Sequence, residues 1–266
     1  MHFSPSTGRV LPWRPVNRPN AALAATATLV ALAFTLALAD RWLARRRRHE
    51  AAWALAMGLF TLASFSLWVG VADGWTSLSF RAFYLFGAIL NVPFLALGTV
   101  ELLGGPRWGR ACTRGLALLA AFATGVVLEA PLRRRVPADG LPAGKELFGP
   151  APRVLAAVCS GVASLVVIGG ALWSAWRLLR GRRRSVGARG AVRMPRRLAL
   201  GNLLIAVGTG VLGASGTFAG RLGAARAFAV TLVTGVVVLF LGFLVASSSG
   251  RRAYRPAPWL ADALSA

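Results

Sequence analysis

Histidine, lysine and acidic residues are scarce in this chain, and each shortage excludes a class of chemistry. The 266 residues include two histidines, His2 and His49, and one lysine, Lys145. Neither histidine falls within an apolar segment, which excludes intramembrane haem, metal and nucleophile sites that depend on histidine. Lys145 lies in a stretch rich in proline and glycine, so no amine is placed to form a retinal Schiff base. We therefore expect no metal and no cofactor.

Other catalytic residue patterns are missing as well. Cys112 and Cys159 are too few for a disulfide scaffold and are not spaced as metal ligands. The serines form no G-x-S-x-G motif, and the chain has no pair of intramembrane aspartates of the kind that aspartyl proteases use. We predict that the chain is not an enzyme and has no catalytic residues.

Long apolar segments dominate what is present. The chain is 56% apolar and 15% charged, and its mean hydropathy of +0.61 is typical of a membrane protein. Seven segments approach the roughly 20 residues that cross a bilayer as a helix, the fourth only if Arg114 snorkels inward and Glu129 reaches the outer headgroups. We predict an all-α, polytopic membrane protein, a bundle of seven transmembrane helices at 19–39, 51–72, 82–100, 111–132, 154–176, 198–220 and 227–250. Residues 1–18 are predicted to be a flexible external tail, 129–153 an irregular external loop and 251–266 a cytoplasmic tail.

The distribution of arginine sets the predicted orientation and partners. Alternate connections, together with the C-terminal tail, carry 20 lysines and arginines, against 11 on the other side. Because the more positive side faces the cytoplasm, we predict that the N-terminus lies outside and the C-terminus inside. The cytoplasmic clusters are predicted to bind anionic lipid headgroups, whereas their short runs between apolar segments argue against a nucleic-acid surface. Arginine replaces lysine almost throughout, which indicates GC-rich coding DNA and a bacterial cytoplasmic membrane.

The third apolar segment carries the first group of candidate site residues. Gly87, Asn91, Phe94 and Gly98 are spaced four, three and four residues apart, so they share one helix face that is expected to point into the bundle. Pro93 removes the amide that would bond the carbonyl of Ile89, and a kink is expected there. This pattern has two interpretations: a ligand site near the bilayer midplane, or a helix contact in which the asparagine bonds a neighbour.

The sixth segment carries a second stripe of small and polar residues. Its members are Asn202, Ala206, Thr209, Gly213, Gly216 and Gly220. Such a face is typical of close helix packing, and the alternative is a flexible gating helix. On the packing interpretation, Gly213→Leu is expected to damage the fold more than Val238→Leu.

Two acids lie near the ends of predicted spans. Glu101 lies at the cytoplasmic end of span three, and Glu129 at the outer end of span four. No acid or histidine connects them across the membrane, which argues against a proton relay. Arg107 and Arg110 are expected to pair with Glu101.

Three stretches resemble a known group of sequences. The segment Phe83–Val100, together with Ala214–Thr217 and Phe240–Phe243, is similar to a recurring group of seven-helix integral membrane proteins of GC-rich bacteria whose activity is not known. The resemblance implies a seven-helix topology and supplies neither an activity nor a site residue.

These patterns lead to two functional hypotheses. The first is a non-enzymatic seven-helix protein that binds a small apolar molecule, a lipid or a partner helix, as a sensor or accessory subunit. Its partner would be another membrane protein or a second copy of the chain. The second is a small transporter with a midplane site at the Asn91–Pro93 kink. A cavity would favour small-molecule binding or transport, and a solidly packed bundle would favour a helix partner.

Overall fold

The chain folds as an assembly of helices compatible with an α-helical membrane protein. The computed structural model describes residues 18–137, 141–184, 200–201, 203–213 and 225–248. Every regular element in these ranges is a helix, and five helices are long and apolar enough to cross a membrane. Residues 1–17 and 251–266 of the predicted tails, Asn202, Gly216, Gly220 and the segment 214–217 lie outside the described residues.

The helices follow one another with short connections. In chain order they are α1 (Arg18–Arg45), α2 (Arg48–Ala72), α3 (Ser77–Phe83), a π-helical segment (Tyr84–Leu90), α4 (Asn91–Leu103), α5 (Gly105–Glu129), α6 (Gly144–Leu147), α7 (Pro150–Arg184), α8 (Leu203–Gly213) and α9 (Ala225–Ser248). The third apolar segment is therefore one continuous span, Ser77–Leu103, made of α3, the π-helical segment and α4.

The helix ends differ from the ends of the apolar segments. Helix α5 begins at Gly105 and ends at Glu129, whereas the sequence predicts a span over 111–132. It therefore includes Arg107, Arg110 and Arg114 in its first three turns. Helical hydrogen bonding continues beyond the apolar residues because the headgroup region solvates charged side chains. Arginines in the first turns of the helix therefore carry no large free-energy penalty.

Tight turns bring the helix ends together at two opposite ends of the bundle. We call the end that holds residues 130–149 the loop end, and the end that holds Arg45–Arg48 the arginine end. Arg46 adopts a positive φ of 53° between α1 and α2, and Gly105 adopts a φ of 78° between α4 and α5, both at the arginine end. Gly74, with a φ of 94°, turns the chain between α2 and α3 at the loop end.

Small side chains bring the first helix into the core. Helix α1 packs on α2 and α9 through a buried face of Ala24, Ala27, Ala31, Phe34 and Leu38. These positions recur every three or four residues, which is the period of one helix face. Alanine at three of them lets the neighbouring backbones approach closely.

Residues 141–149 contain more regular structure than the sequence predicts. The prediction of an irregular loop misses the four-residue helix α6 and the burial of Leu147 and Phe148 that follows from it. Phe148 stacks on Phe80 with ring centroids 5.1 Å apart and meets Tyr84 edge-on at 4.9 Å. The prolines and glycines of this segment do prevent a long helix, but its two large apolar side chains bury themselves against α3 and anchor it.

Candidate functional site

A cavity of about 560 Å³ lies inside the bundle, toward the loop end. Its wall is formed by α2, the third span, α7, α8, α9 and the segment 141–145. The volume falls within the roughly 300–1,000 Å³ typical of small-molecule sites. We call it the central cavity.

Most of the wall is apolar, with a few polar groups in it. The polar and charged lining residues are Ser64, Tyr84, Asn91, Lys145, Arg153, Ser160, Ser164 and Thr209. No aspartate or glutamate is among the described lining residues. A mostly apolar wall with few polar groups is the usual composition of a ligand site.

Three polar side chains in this wall are buried, and one of them, Thr209, is 4% exposed. Ser64 is 1% exposed, and its Oγ has no hydrogen-bond partner among the described residues. Asn91 is 8% exposed. An unpaired buried hydroxyl costs free energy, and the Ser64 Oγ is itself enclosed by protein, so it does not face the open space of the cavity.

The backbone of the third span opens onto this cavity through its π-helical segment. The amide of Asn91 donates to the carbonyl of Phe86, five residues back. Ser160 of α7 donates to the carbonyl of Ala88 at 2.5 Å, which joins α7 to the π-helical segment. Pro93 lies in α4 and has no N–H, so it cannot bond the carbonyl of Ile89, four residues before it.

The small-residue face of the third span divides between the cavity and a helix contact. Gly87 and Asn91 line the cavity. Gly98 lies farther along the same face, where a Cβ atom would overlap the indole of Trp53. The Trp53 indole N–H donates to the carbonyl of Leu95 at 3.2 Å. Pro93 is buried but is not part of the wall.

Helix α8 contributes Thr209 and Gly213 to the wall. The Thr209 hydroxyl donates to the carbonyl of Ile205, 2.8 Å away in its own helix. A Cβ atom on Gly213 would meet no described atom within 4 Å, so the described helices form no close contact there, contrary to the expectation. Its side of α8 faces the cavity. The close contact is at Gly208, where a Cβ atom would lie 2.7 Å from the backbone nitrogen of Leu239 in α9.

A buried charge cluster lies at the arginine end. Glu50 is 1% exposed, and its Oε1 accepts from Arg41 at 3.4 Å and lies 3.8 Å from Arg45. The guanidinium of Arg41 also lies over the ring of Phe243, 4.7 Å from its centroid. Sequence reasoning missed Glu50, since it falls at the end of a charged connection. The signal was present as a single acid two residues after the run of four arginines Arg45–Arg48, with His49 between them.

Glu101 lies at the same end, and no described arginine forms an ion pair with it. Its Oε1 accepts from the Thr113 hydroxyl at 3.3 Å. A Cβ atom on Gly109 would lie 2.8 Å from the Cγ of Glu101, so the face of α5 that meets Glu101 is formed by Gly109 and Thr113, one turn apart. Arg107 and Arg110 lie on other faces and are exposed. The expected ion pair between Glu101 and these arginines is therefore wrong.

A second hollow is a shallow groove of about 510 Å³ between α4, α5 and α7. Trp108, Cys112 and Trp173 line it on the outside of the bundle, and it holds no charged residue among the described ones. In the described part of the chain, no three residues of histidine, cysteine, aspartate or glutamate gather as a metal site. Of the two hollows described, the central cavity is therefore the one whose wall contains several polar side chains inside the bundle.

Comparisons with protein-family models, with curated proteins and with solved structures found no match for this chain. The resemblance to seven-helix proteins of GC-rich bacteria stays an expectation. What bears on function is therefore the geometry of the cavity and its lining.

Proposed function

We propose that the chain is a non-enzymatic seven-helix protein of a bacterial cytoplasmic membrane that binds a small, largely apolar molecule in the central cavity, as a sensor or accessory subunit. The observation that carries this proposal is the cavity itself, about 560 Å³ of space inside the bundle. Its apolar wall would bury a hydrophobic ligand, and its few polar groups would fix the ligand's orientation.

The positions of α8 and α9 support a count of seven crossings. The two helices are antiparallel: a Cβ atom on Gly235 would lie 2.7 Å from Leu212, and one on Gly242 would lie 2.8 Å from Ile205. Helix α9 begins beside Phe83 at the loop end and passes Phe34 at the arginine end. With the five long helices, this alternation agrees with an external N-terminus and a cytoplasmic C-terminus. The arginine end would then face anionic lipid headgroups.

A small transporter is the second candidate. The observation in its favour is that Asn91 lines the cavity at the place where the π-helical segment and Pro93 interrupt α-helical bonding. Interrupted helices form the substrate sites of many transporters. Transport also needs an opening at the arginine end, where Trp53 and the Glu50 cluster now lie. If the protein, reconstituted in proteoliposomes, carried a ligand across the membrane, the result would favour this candidate over a binding protein.

The proposal is tested with two glycine variants of the same helix. Gly213→Leu places a side chain in the cavity without displacing a described neighbour, whereas Gly210→Leu, three residues away, projects into open space outside the wall. Native mass spectrometry of the purified proteins measures co-purifying small molecules. We expect a bound species on the wild type and on Gly210→Leu, and its loss from Gly213→Leu.

The folded state of each variant is checked by its melting temperature in detergent, which should stay close to that of the wild type. A bound species that persists at the same occupancy in folded Gly213→Leu would show that ligands bind elsewhere. A wild type that binds no molecule, from membranes or after addition of lipid extracts, would contradict the proposal.

A further inference from the structure

We propose that the ligand of the central cavity is an uncharged, mostly hydrocarbon molecule that carries a hydrogen-bond donor, in its simplest form an alcohol. This inference rests on the proposed function, because it names the ligand class of the same cavity. Three polar side chains of the wall carry it: Asn91, Ser160 and Thr209.

Asn91 presents an unpaired amide to the cavity. It lines the wall and is 8% exposed, and its side chain forms no hydrogen bond with a described residue. Unlike the Oγ of Ser64, its Oδ1 and Nδ2 are not among the fully enclosed atoms that lack a partner, so the amide reaches the open space. A buried amide without a partner costs free energy, which a ligand that bonds it would recover.

Ser160 and Thr209 can offer a ligand only an acceptor. A hydroxyl has one proton to donate and two lone pairs. Ser160 donates its proton to the carbonyl of Ala88, and Thr209 donates to the carbonyl of Ile205. Each oxygen keeps a lone pair, so each can bond a donor of the ligand. A ligand with a carbonyl alone would bond the Nδ2 of Asn91 but leave both hydroxyl oxygens without a donor.

The three side chains lie at one level of the bundle. Three members of one apolar cluster mark that level: Val92, Ala163 and Ile205. Asn91 lies one residue, and Ser160 three residues, from its marker toward the loop end. Helix α8 runs toward the loop end, so Thr209 lies one turn from its marker in the same direction. All three are therefore within about one helical turn, roughly 5 Å, along the bundle axis.

The polar groups at this level are uncharged. The cations of the described wall, Lys145 and Arg153, lie in α6 and in the first turn of α7, at the loop end. Seven residues separate Arg153 from Ser160, about 10 Å along the helix at 1.5 Å per residue. A charged ligand group beside Asn91 would lose its water without gaining a counter-ion, and this cost favours an uncharged group.

The remainder of the wall is suited to hydrocarbon. Phe60, Phe83, Phe228 and Leu232 are among the apolar side chains around the space. Burial of hydrocarbon against them is favourable in proportion to the apolar area removed from water. The ligand class is therefore a hydrocarbon body with a hydroxyl group that accepts from Asn91 and donates to Ser160 or Thr209.

The test compares four probes with the same ring on the full-length protein at pH 8: cyclopentadecanol, cyclopentadecanone, cyclopentadecane and cyclopentadecanecarboxylate. The alcohol donates and accepts, the ketone only accepts, the hydrocarbon does neither, and the carboxylate is charged. Native mass spectrometry gives the bound fraction of each as a function of concentration. We expect the wild type to bind the alcohol about tenfold more tightly than the hydrocarbon. We expect an advantage of about threefold over the ketone, and the carboxylate should bind more weakly than the alcohol.

The first variant tests the amide. Asn91→Leu keeps the approximate size of the side chain and removes its hydrogen-bonding atoms. It should bind the ketone no better than the hydrocarbon, since the donor to the ketone oxygen is lost. Asn20→Leu is the matched control, because Asn20 lies in α1 outside the wall and has a buried, unpaired Oδ1 of its own. It should keep the wild-type preference.

A double variant tests the two acceptors. Ser160→Ala with Thr209→Val removes both hydroxyl oxygens, and it should bind the alcohol no better than the ketone. The control is Ser66→Ala with Thr124→Val, whose hydroxyls bond carbonyls of their own helices and lie outside the wall. Melting temperatures in detergent identify the variants that fold. If Asn91→Leu does not fold, the comparison of alcohol and ketone on the wild type and the double variant still decides the inference.

Each contrary result has its own meaning. Equal binding of alcohol and ketone to the wild type would overturn the donor, and tighter binding of the carboxylate than of the alcohol would overturn the uncharged class. A folded Asn91→Leu that still prefers the ketone to the hydrocarbon would overturn the contact with the amide. In these three cases, binding that Gly213→Leu abolishes would leave the proposed function intact. If no probe binds the wild type more tightly than Gly213→Leu, both this inference and the proposed function fail.

Discussion

At the residue scale, several charged side chains have structural partners that explain their positions. The guanidinium of Arg81 donates to the carbonyls of Val127, Leu128 and Ala130, the last two at 2.9 and 2.8 Å. A positive charge at a helix C-terminus is favourable and satisfies carbonyls that have no intrahelical donor. Arg134 is paired with Glu146. Arg81 and Arg134 at the loop end therefore stabilise the fold. Their structural role explains part of the positive charge at that end, which reduces the difference in charge between the two ends of the bundle.

Glu50 provides a prediction at this scale. Glu50→Gln keeps the size of the side chain but removes the charge that faces Arg41 and Arg45. We expect the free energy of unfolding to fall by about 1–3 kcal/mol, because a buried charged group loses its partner. Glu129→Gln is the matched control, since Glu129 is exposed and forms no ion pair within the described chain. It should change the stability by less than about 0.5 kcal/mol.

Thermal unfolding of both variants in the same detergent measures the difference. A loss of stability in Glu129→Gln equal to that in Glu50→Gln would mean that general surface charge, rather than the buried cluster, is being measured.

At the element scale, helix periodicity predicted which residues share a face but not what that face meets. The spacing of Gly87, Asn91 and Gly98 is sufficient to align them. It does not reveal that Trp53 occupies the space beside Gly98 while the space beside Asn91 stays open. Small residues produce the same sequence pattern in a close helix contact and in a cavity wall, because a large side chain would fill the space in either case. Only the packing of α2 distinguishes them.

Local backbone geometry could also be predicted only in part from the sequence. Pro93 predicts that the carbonyl of Ile89 loses its donor, but it does not predict the π-helical segment before it, in which the amide of Asn91 bonds Phe86 five residues back. Phe148 and Leu147 gave no periodic signal, since only a four-residue helix precedes them. Their burial depends on Phe80 and Tyr84, which lie more than sixty residues earlier in the chain.

The contact between α8 and α9 gives a prediction for an element. Gly208→Ala places a Cβ atom 2.7 Å from the backbone nitrogen of Leu239, where backbone cannot move aside as a side chain does. We expect it to destabilise the protein by about 1–3 kcal/mol. Gly210→Ala, in the same helix with open space around it, should be neutral or stabilise by up to about 1 kcal/mol through helix propensity.

Melting temperatures of the two alanine variants provide the comparison. If Gly208→Ala melts at or above the temperature of Gly210→Ala, α8 and α9 are not in the close contact described.

At the scale of the whole molecule, composition and apolar length predicted an all-helical membrane protein, and the helical architecture with five long apolar helices agrees with that coarse prediction. The count of seven and the orientation depend on α8, α9 and the connections around them. Charge bias alone supports the orientation, and it is weakened by cations such as Arg81 that cap helices instead. No sequence pattern predicted the cavity, because the cavity is the space left between six elements of the fold.

Orientation is tested through the cysteines. Cys112 lies between Arg110 and Arg114 near the arginine end and is partly exposed, whereas Cys159 is buried in α7. If the arginine end is cytoplasmic, a membrane-impermeant maleimide should label Cys112 in inverted membrane vesicles and not in intact spheroplasts. The variant Cys112→Ser controls for residual labelling of Cys159. Labelling of Cys112 in spheroplasts would reverse the orientation.

The π-helical segment also fixes the rotational phase between the two halves of the third span. One residue more than an α-helix would use is accommodated between Tyr84 and Leu90. A deletion of one residue there would let the backbone return to α-helical bonding while Phe80 and Arg81 keep their angle to Asn91, because each donor then bonds four residues back instead of five. A deletion of one residue within α2, which is α-helical throughout, would instead turn the residues on its two sides by about 100° relative to each other. Single-codon deletions in related chains should therefore be tolerated between Tyr84 and Leu90 more readily than within α2.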